Sequence, residues 1–154
     1  MSKVLVSYFS ASGVTRGVAK KVATATNGDL FEIEPVEKYS NEDLDWTNRQ
    51  SRSSIEMNDN IQPDILNKVS NLDEYATICL AFPIWWYKEP TIIDKFLEEN
   101  DMSGKNIYVF VTSGSSSIDS TYRSLKNNFP NLNFISGKRF TGRESDEEYK
   151  SWIR

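Results

Sequence analysis

Three short stretches of this sequence carry residue types that could do chemistry. Ser10-Ala11-Ser12-Gly13-Val14-Thr15 packs three hydroxyls and a glycine into six residues, with no Lys or Arg among them. Set between a strand and a helix, such a loop directs backbone N–H groups and the positive end of the helix dipole at one point. An anion belongs there, and a phosphate suits the N–H and O–H donors. Pro83-Ile84-Trp85-Trp86-Tyr87 offers planar aromatic side chains that stack on a flat ring system. Thr112-Ser113-Gly114-Ser115-Ser116-Ser117 offers further hydroxyl and amide donors for a polyol or sugar. A ligand satisfying all three has a phosphate, a polyol and a planar ring, and such a pocket suits flavin mononucleotide (FMN).

The elements around these stretches decide whether they can meet. Val4-Leu5-Val6 with Tyr8-Phe9 reads as a buried first strand, and Val14, Val18, Ala19, Val22 and Ala23 recur at helical spacing after the loop. Asn27-Gly28 supplies a helix stop, and Leu30 to Glu34 a short second strand with alternating acids that suit a sheet edge. The polar segment from Pro35 to about Ile61 reads as one long loop, and Pro63 is expected to open a short helix bearing Ile65, Leu66 and Val69. Ala76 to Phe82 is a central third strand, and Pro90 begins a helix with Ile92, Ile93, Phe96 and Leu97 on one face. Ile107 to Val111 is the fourth strand, and Ile118, Tyr122, Leu125 and Phe129 lie in register on the fourth helix. Phe134-Ile135 is a weak fifth strand, and Ser145 with Glu148 forms a capping box before Tyr149, Trp152 and Ile153. Alternating strands and helices imply an α/β fold: a parallel five-stranded sheet in three α/β/α layers. Ligands of such sheets sit beyond the carboxyl ends of the strands, and the three chemical loops follow strands one, three and four. All three are expected on one rim.

Composition narrows the classes. The 154 residues suit a single domain spanning 1–154. No stretch is apolar enough for a membrane span, and the amino terminus lacks a signal peptide's layout. A lone cysteine, Cys79, fits a reducing cytoplasm, and the net charge of −4 argues against nucleic acid and anionic membranes as partners. There is no histidine, and Cys79 sits in an apolar run as a core residue. Ser-His and Cys-His catalysis and histidine metal sites are thereby removed, so a cofactor would carry any redox chemistry. The first loop also lacks the G-x-G-x-x-G of a dinucleotide site, the Gly-Lys-Ser/Thr of a P-loop, a phosphatase cysteine and a receiver's acids.

Each stretch has a plainer reading. Ser10 to Thr15 also fits a well-capped helix start, and Ser113 to Ser117 an ordinary loop. Trp85 and Trp86 also fit packing or a homodimer interface, and Trp46 with Arg52 a solvated loop anchored by one tryptophan.

Taken with their order in the chain, Ser10-x-Ser12-Gly13-x-Thr15 and Leu80-Ala81-Phe82-Pro83-Ile84-Trp85-Trp86-Tyr87 followed by Pro90 resemble the flavodoxin-like family, in its branch with an FPIWW turn after strand three. Tyr39 to Glu56, with Trp46, Ser51-Arg52 and Glu56, and Ser113-Gly114 before Ser120 resemble the same branch. The resemblance implies strand order 2-1-3-4-5 and FMN as cofactor. It implies that Ser10, Ser12, Gly13, Val14 and Thr15 hold the phosphate, and that Pro83, Ile84, Trp85 and Trp86 line the isoalloxazine. Thr112, Ser113 and Gly114 would approach the ribityl chain and the pyrimidine edge. Where the branch carries more glycine this chain has Ser115, Ser117 and Asp119, with Asp119 expected to cap the fourth helix. The implied function is electron transfer or oxidoreduction, with a partner protein or a small acceptor. The alternatives are an FMN-dependent NAD(P)H:quinone-type reductase, with the segment around Trp46 and Arg52 as a lid, and a flavin-free interaction module.

Overall fold

The computed structural model describes residues 3–11, 13–113 and 117–152. Its strands are β1 (Lys3–Tyr8), β2 (Asp29–Glu32), β3 (Tyr75–Pro83), β4 (Asn106–Thr112) and β5 (Asn133–Phe140). Its helices are α1 (Val14–Thr26), α2 (Arg52–Asp59), α3 (Thr91–Glu99), α4 (Asp119–Asn128) and α5 (Asp146–Trp152). The strands form one parallel sheet in the order β2-β1-β3-β4-β5. Five parallel strands in the order 2-1-3-4-5 are the arrangement implied by the resemblance.

Period-two alternation along the strands divides the core into two layers. Leu5, Phe9, Ile78, Leu80, Phe82, Val109 and Val111 pack with Ile92, Ile93, Phe96 and Leu97 of α3 and Leu125 of α4. Val6, Tyr8, Cys79, Ala81, Tyr108 and Phe110 pack with Val18, Ala19, Val22 and Ala23 of α1 and Tyr149 of α5. Burial pushes the Cys79 thiol far above its ordinary range, so it stays protonated and inert, as a core cysteine should. No helix among the described residues is long and apolar enough to cross a membrane.

The main departures from the pattern reading lie between β2 and β3. The long segment contains α2, whose buried face is Ser53, Ser54 and Glu56. That face has no apolar stripe for periodicity to detect. Its signals are instead Ser51, whose hydroxyl accepts from the Ser54 N–H, and Asn60 at φ 53°, which ends the helix. The helix expected after Pro63 does not form. Ile65 instead bridges antiparallel to Pro35, with Val36 N–H donating to Asp64 (2.9 Å) and Leu66 N–H to Glu34 (2.7 Å). Pairing with the strand-like 34–36 segment satisfies backbone groups that an isolated short helix would leave open.

Two smaller points differ in detail. β5 is longer than Phe134-Ile135, because pairing with β4 runs through to Phe140. Asp119 does not cap α4; the Ser117 hydroxyl accepts from the Asp119 N–H at 3.0 Å, and the N-cap Ile118 has no side-chain bond. The Ser145–Glu148 capping box forms as expected, with Glu148 N–H donating to the Ser145 hydroxyl at 3.3 Å.

Candidate functional site

Parallel strands bring the ends of β1, β3 and β4 to one rim, and the first loop is organised there by its own serine. Ser10 Oγ accepts from Gly13 N–H (3.1 Å) and Arg16 N–H (3.2 Å), closing the turn into α1. Gly13 stands at φ 97° as the N-cap of α1. A side chain there would meet no atom within 4 Å, so backbone conformation, not space, calls for glycine. The amides of Val14 and Thr15 have no partner among the described residues, leaving a helix start open to an anion. The Thr15 hydroxyl is buried and lies 2.7 Å from that of Thr112, so the first and third loops are tied together. Ser12 and Gly114, two expected site residues, lie outside the described residues, as do Ser115 and Ser116. Ser113 is held by its carbonyl, which accepts from Arg139 Nη1 at 3.0 Å.

The cation in the first turn of α1, Arg16, is itself paired. Arg16 Nη2 donates to Glu32 Oε2 at 2.6 Å, and the Tyr8 hydroxyl donates to Glu32 Oε1 at 3.4 Å. The nest is therefore built of neutral donors beside a self-neutralised ion pair.

The aromatic turn has an unusual backbone. Trp85 N–H donates to Lys88 O and Lys88 N–H to Trp85 O, both at 3.0 Å. Between them Trp86 (φ 49°) and Tyr87 (φ 64°) are both left-handed, the signature of a type I′ turn. Two bulky residues in that region store strain of about 1–3 kcal/mol each. Such strain concentrates where side chains are displayed for a ligand. Trp86 is 40% exposed and Tyr87 68%. Trp85 is instead half-buried, edge-on to Phe9 (5.6 Å) and Tyr39 (5.4 Å), which meet each other at 5.7 Å.

A second layer fixes Tyr39. The Arg52 guanidinium lies 3.9 Å over its ring, and its hydroxyl donates to Glu56. Arg52 Nε donates to Glu56 Oε2 at 2.9 Å and Nη1 to the Glu37 carbonyl at 2.8 Å. Burial and the Glu56 carboxylate drive the Tyr39 phenol well above its usual range, so it remains a donor. The 35–61 segment is thus anchored by Tyr39, Arg52 and Glu56, whereas Trp46, the expected anchor, is 73% exposed. Pattern reading placed Arg52 in a lid segment and gave Glu56 no role of its own; their joint hold on Tyr39 appears only when the fold brings Tyr39 to them.

Between α2 and the aromatic turn lies a cleft of about 510 Å³. Ala11, Leu44, Trp46, Ser53, Pro83, Ile84, Trp85, Trp86 and Tyr87 line it, and none carries a charge. Its volume falls within the usual range for small-molecule sites. Ala11 belongs to the first loop, so the cleft adjoins the open helix start. The site thus joins a neutral anion seat to an apolar aromatic slot.

A sequence profile of the Flavodoxin family matches residues 3–154. The chain belongs to the flavodoxin family. Two solved structures from this family's neighbourhood extend the likeness over nearly the whole chain. A candidate flavoprotein from Bacteroides eggerthii DSM 20697 is 41% identical, with TM-score 0.96 over 99% of this chain and 96% of that one. Another from Bacteroides uniformis ATCC 8492 is 45% identical, with TM-score 0.94 over 99% and 97%. A flavoprotein in complex with FMN from Lactobacillus acidophilus NCFM shares the flavodoxin-like fold at 22% identity, TM-score 0.79, covering 100% of both chains. No curated protein matches the sequence significantly.

Proposed function

We propose that this flavodoxin-family protein binds FMN across the rim and serves as an electron-transfer protein. The observation that carries the reading is the union of a neutral hydroxyl and amide nest with an uncharged aromatic cleft that shares Ala11 with it. Ser10, Ser12, Gly13, Val14 and Thr15 would hold the phosphate. Pro83, Ile84, Trp85 and Trp86 would line the isoalloxazine, and Thr112, Ser113 and Gly114 would approach the ribityl chain and pyrimidine edge. When bound, FMN supplies one- and two-electron redox chemistry, which the single buried cysteine, Cys79, does not offer. The chain's own part is to seat the flavin, exclude water and set the electrostatics.

Those electrostatics have a direction. Arg16, in the first turn of α1, is paired with Glu32 and so is not free to compensate the phosphate dianion. Further negative charge on a flavin between apolar walls is then penalised by the dianion and by poor solvation. A reductive titration of the FMN-loaded protein should give a second one-electron potential more negative than that of free FMN. A value equal to or above free FMN contradicts this account. The reductase reading draws on Trp46, a large exposed ring at the cleft and a platform for a second flat molecule. Rapid oxidation of NADH or NADPH by the same preparation would favour it over a carrier.

A further inference from the structure

Trp86 and Tyr87 of the aromatic turn stand in a left-handed conformation that glycine or asparagine adopts more readily. Strain of this kind persists only where the surrounding structure holds it. Three contacts hold the trailing end of the turn. The Tyr87 carbonyl accepts from the Thr121 hydroxyl of α4 at 3.1 Å. Glu89, two residues further on, is 3% exposed, and its Oε2 accepts from Asn128 Nδ2, also of α4, at 3.4 Å. The third contact runs to α3, where the Glu89 carboxyl meets that of Asp94 in the first helical turn.

This third contact needs a proton. Glu89 Oε1 and Asp94 Oδ1 are both buried, and neither has a hydrogen-bond partner among the described residues. Two ionised carboxylates accept but cannot donate, so side by side they would repel and leave these oxygens unsatisfied. A single proton between them satisfies both. Burial and the adjacent Glu89 charge hold that proton, pushing the Asp94 carboxyl up to about 9. Among the other charges around the pair, Glu98 on α3 favours the proton and Lys88 in the turn opposes it, while the contact from α4, Asn128, is neutral.

Once the proton is lost, two like charges share a buried space and one carboxylate must turn toward water. Asp94 is carried by a helix whose Ile92, Ile93, Phe96 and Leu97 anchor it in the core. Glu89 lies in a connection, beside two strained residues that relax when it moves. The turn therefore yields first, and Trp85 and Trp86 of the cleft wall move with it.

We propose, resting on the FMN reading above, that Glu89 and Asp94 are positioning residues of the site: sharing one proton, they clamp the aromatic turn in the form that receives the flavin, and ionisation of both releases it. Neither acid touches the flavin. The clamp gives a role to a buried acid pair that otherwise only costs stability.

The test is an FMN titration of wild type, Asp94→Asn and Glu89→Gln from about pH 7 to about pH 10, with circular dichroism of the flavin-free proteins over the same range. Ionisation of FMN itself and of the tyrosines is common to all three proteins, so their comparison isolates the pair. In each variant an amide donor replaces the shared proton, and either variant alone suffices for the comparison. Wild-type affinity is expected to fall by about fivefold or more, relative to the variants, as pH rises through about 9. The near-ultraviolet aromatic signal of flavin-free wild type should change over the same pH range, with the far-ultraviolet signal constant. A merely structural pair would lower wild-type melting with pH but leave the affinity of the folded protein parallel to that of the variants. Parallel affinities overturn the inference and leave the flavin reading intact. A fall in affinity without the aromatic change also overturns it, because the turn would not have moved. So does a far-ultraviolet loss that accompanies the aromatic change, since the whole fold would then be titrating. Failure of the wild-type protein to bind FMN overturns both.

Discussion

Trp85→Ala is expected to destabilise the protein by about 2–3 kcal/mol and to weaken FMN binding by about ten- to a hundredfold. The side chain is half-buried and closes a triangle of edge-on rings with Phe9 and Tyr39. Truncation removes both edge contacts, each contributing about 0.5–1.5 kcal/mol beyond area burial, and leaves space under the cleft wall. Partial exposure places the loss below that of a fully buried tryptophan. The loss of affinity reflects a missing stacking surface, about 1–3 kcal/mol for an aromatic ring against a flat base. Trp85→Phe keeps a ring against Phe9 and Tyr39 and should recover most of the stability. Urea unfolding and flavin fluorescence titration on the three proteins measure both effects. Unchanged affinity in Trp85→Ala would remove this residue from the site.

A second large effect is expected from Asp94→Asn. Glu89 follows the aromatic turn and is almost wholly buried, and Asp94 stands in the first turn of α3. Burial, together with the adjacent Glu89 carboxylate, pushes the Asp94 carboxyl up to about 9. The charge of Glu98 adds to the rise, and Lys88 opposes it. Asn128 Nδ2 approaches Glu89 Oε2 at 3.4 Å from α4. The helix start favours an anion by up to about 1 kcal/mol, too little to outweigh desolvation and a like charge. One proton shared between the two acids is the arrangement that results.

The sign of the pH dependence follows. A carboxyl whose folded pKa lies above its ordinary value binds its proton more tightly in the folded state. Between about pH 4 and about pH 9 the folded protein therefore holds the extra proton, and stability falls as pH rises through that window. Asparagine keeps the shape, cannot ionise and donates to Glu89. Asp94→Asn is expected to gain about 1–2 kcal/mol at pH 8 and to flatten the melting profile. Thermal melting from pH 5 to 9 checks it. A variant as pH-dependent as the wild type would show that the pair does not govern the slope.

The parts of the fold that the sequence made legible are those with one strong local cause. Strands such as Ile78 to Phe82 are continuous apolar runs because both faces are buried, and α1 and α3 carry clear apolar stripes. Their alternation was enough to place three loops on one rim. Helix α2 was hidden because it buries serines and a glutamate instead of an apolar stripe. Tyr39 meets Glu56 only through the turn of the chain between them. Ile65, Leu66 and Val69 look helical by spacing, yet pairing with the Pro35 segment gives their backbone better partners. At the site, the residue types of the nest and the aromatic turn were readable. Local spacing could not show that Thr15 would bond Thr112, or that Trp85 would be held by Phe9 and Tyr39, because those contacts join segments far apart in the chain.

The most direct test of the central claim is the visible spectrum of the purified protein during FMN titration, read alongside flavin fluorescence. A flavodoxin-type site predicts uptake of one FMN per chain, shifted flavin absorption bands and quenched fluorescence as the ring enters the aromatic cleft. An additive spectrum and the full fluorescence of free FMN, at protein concentrations in excess of the flavin, would contradict it.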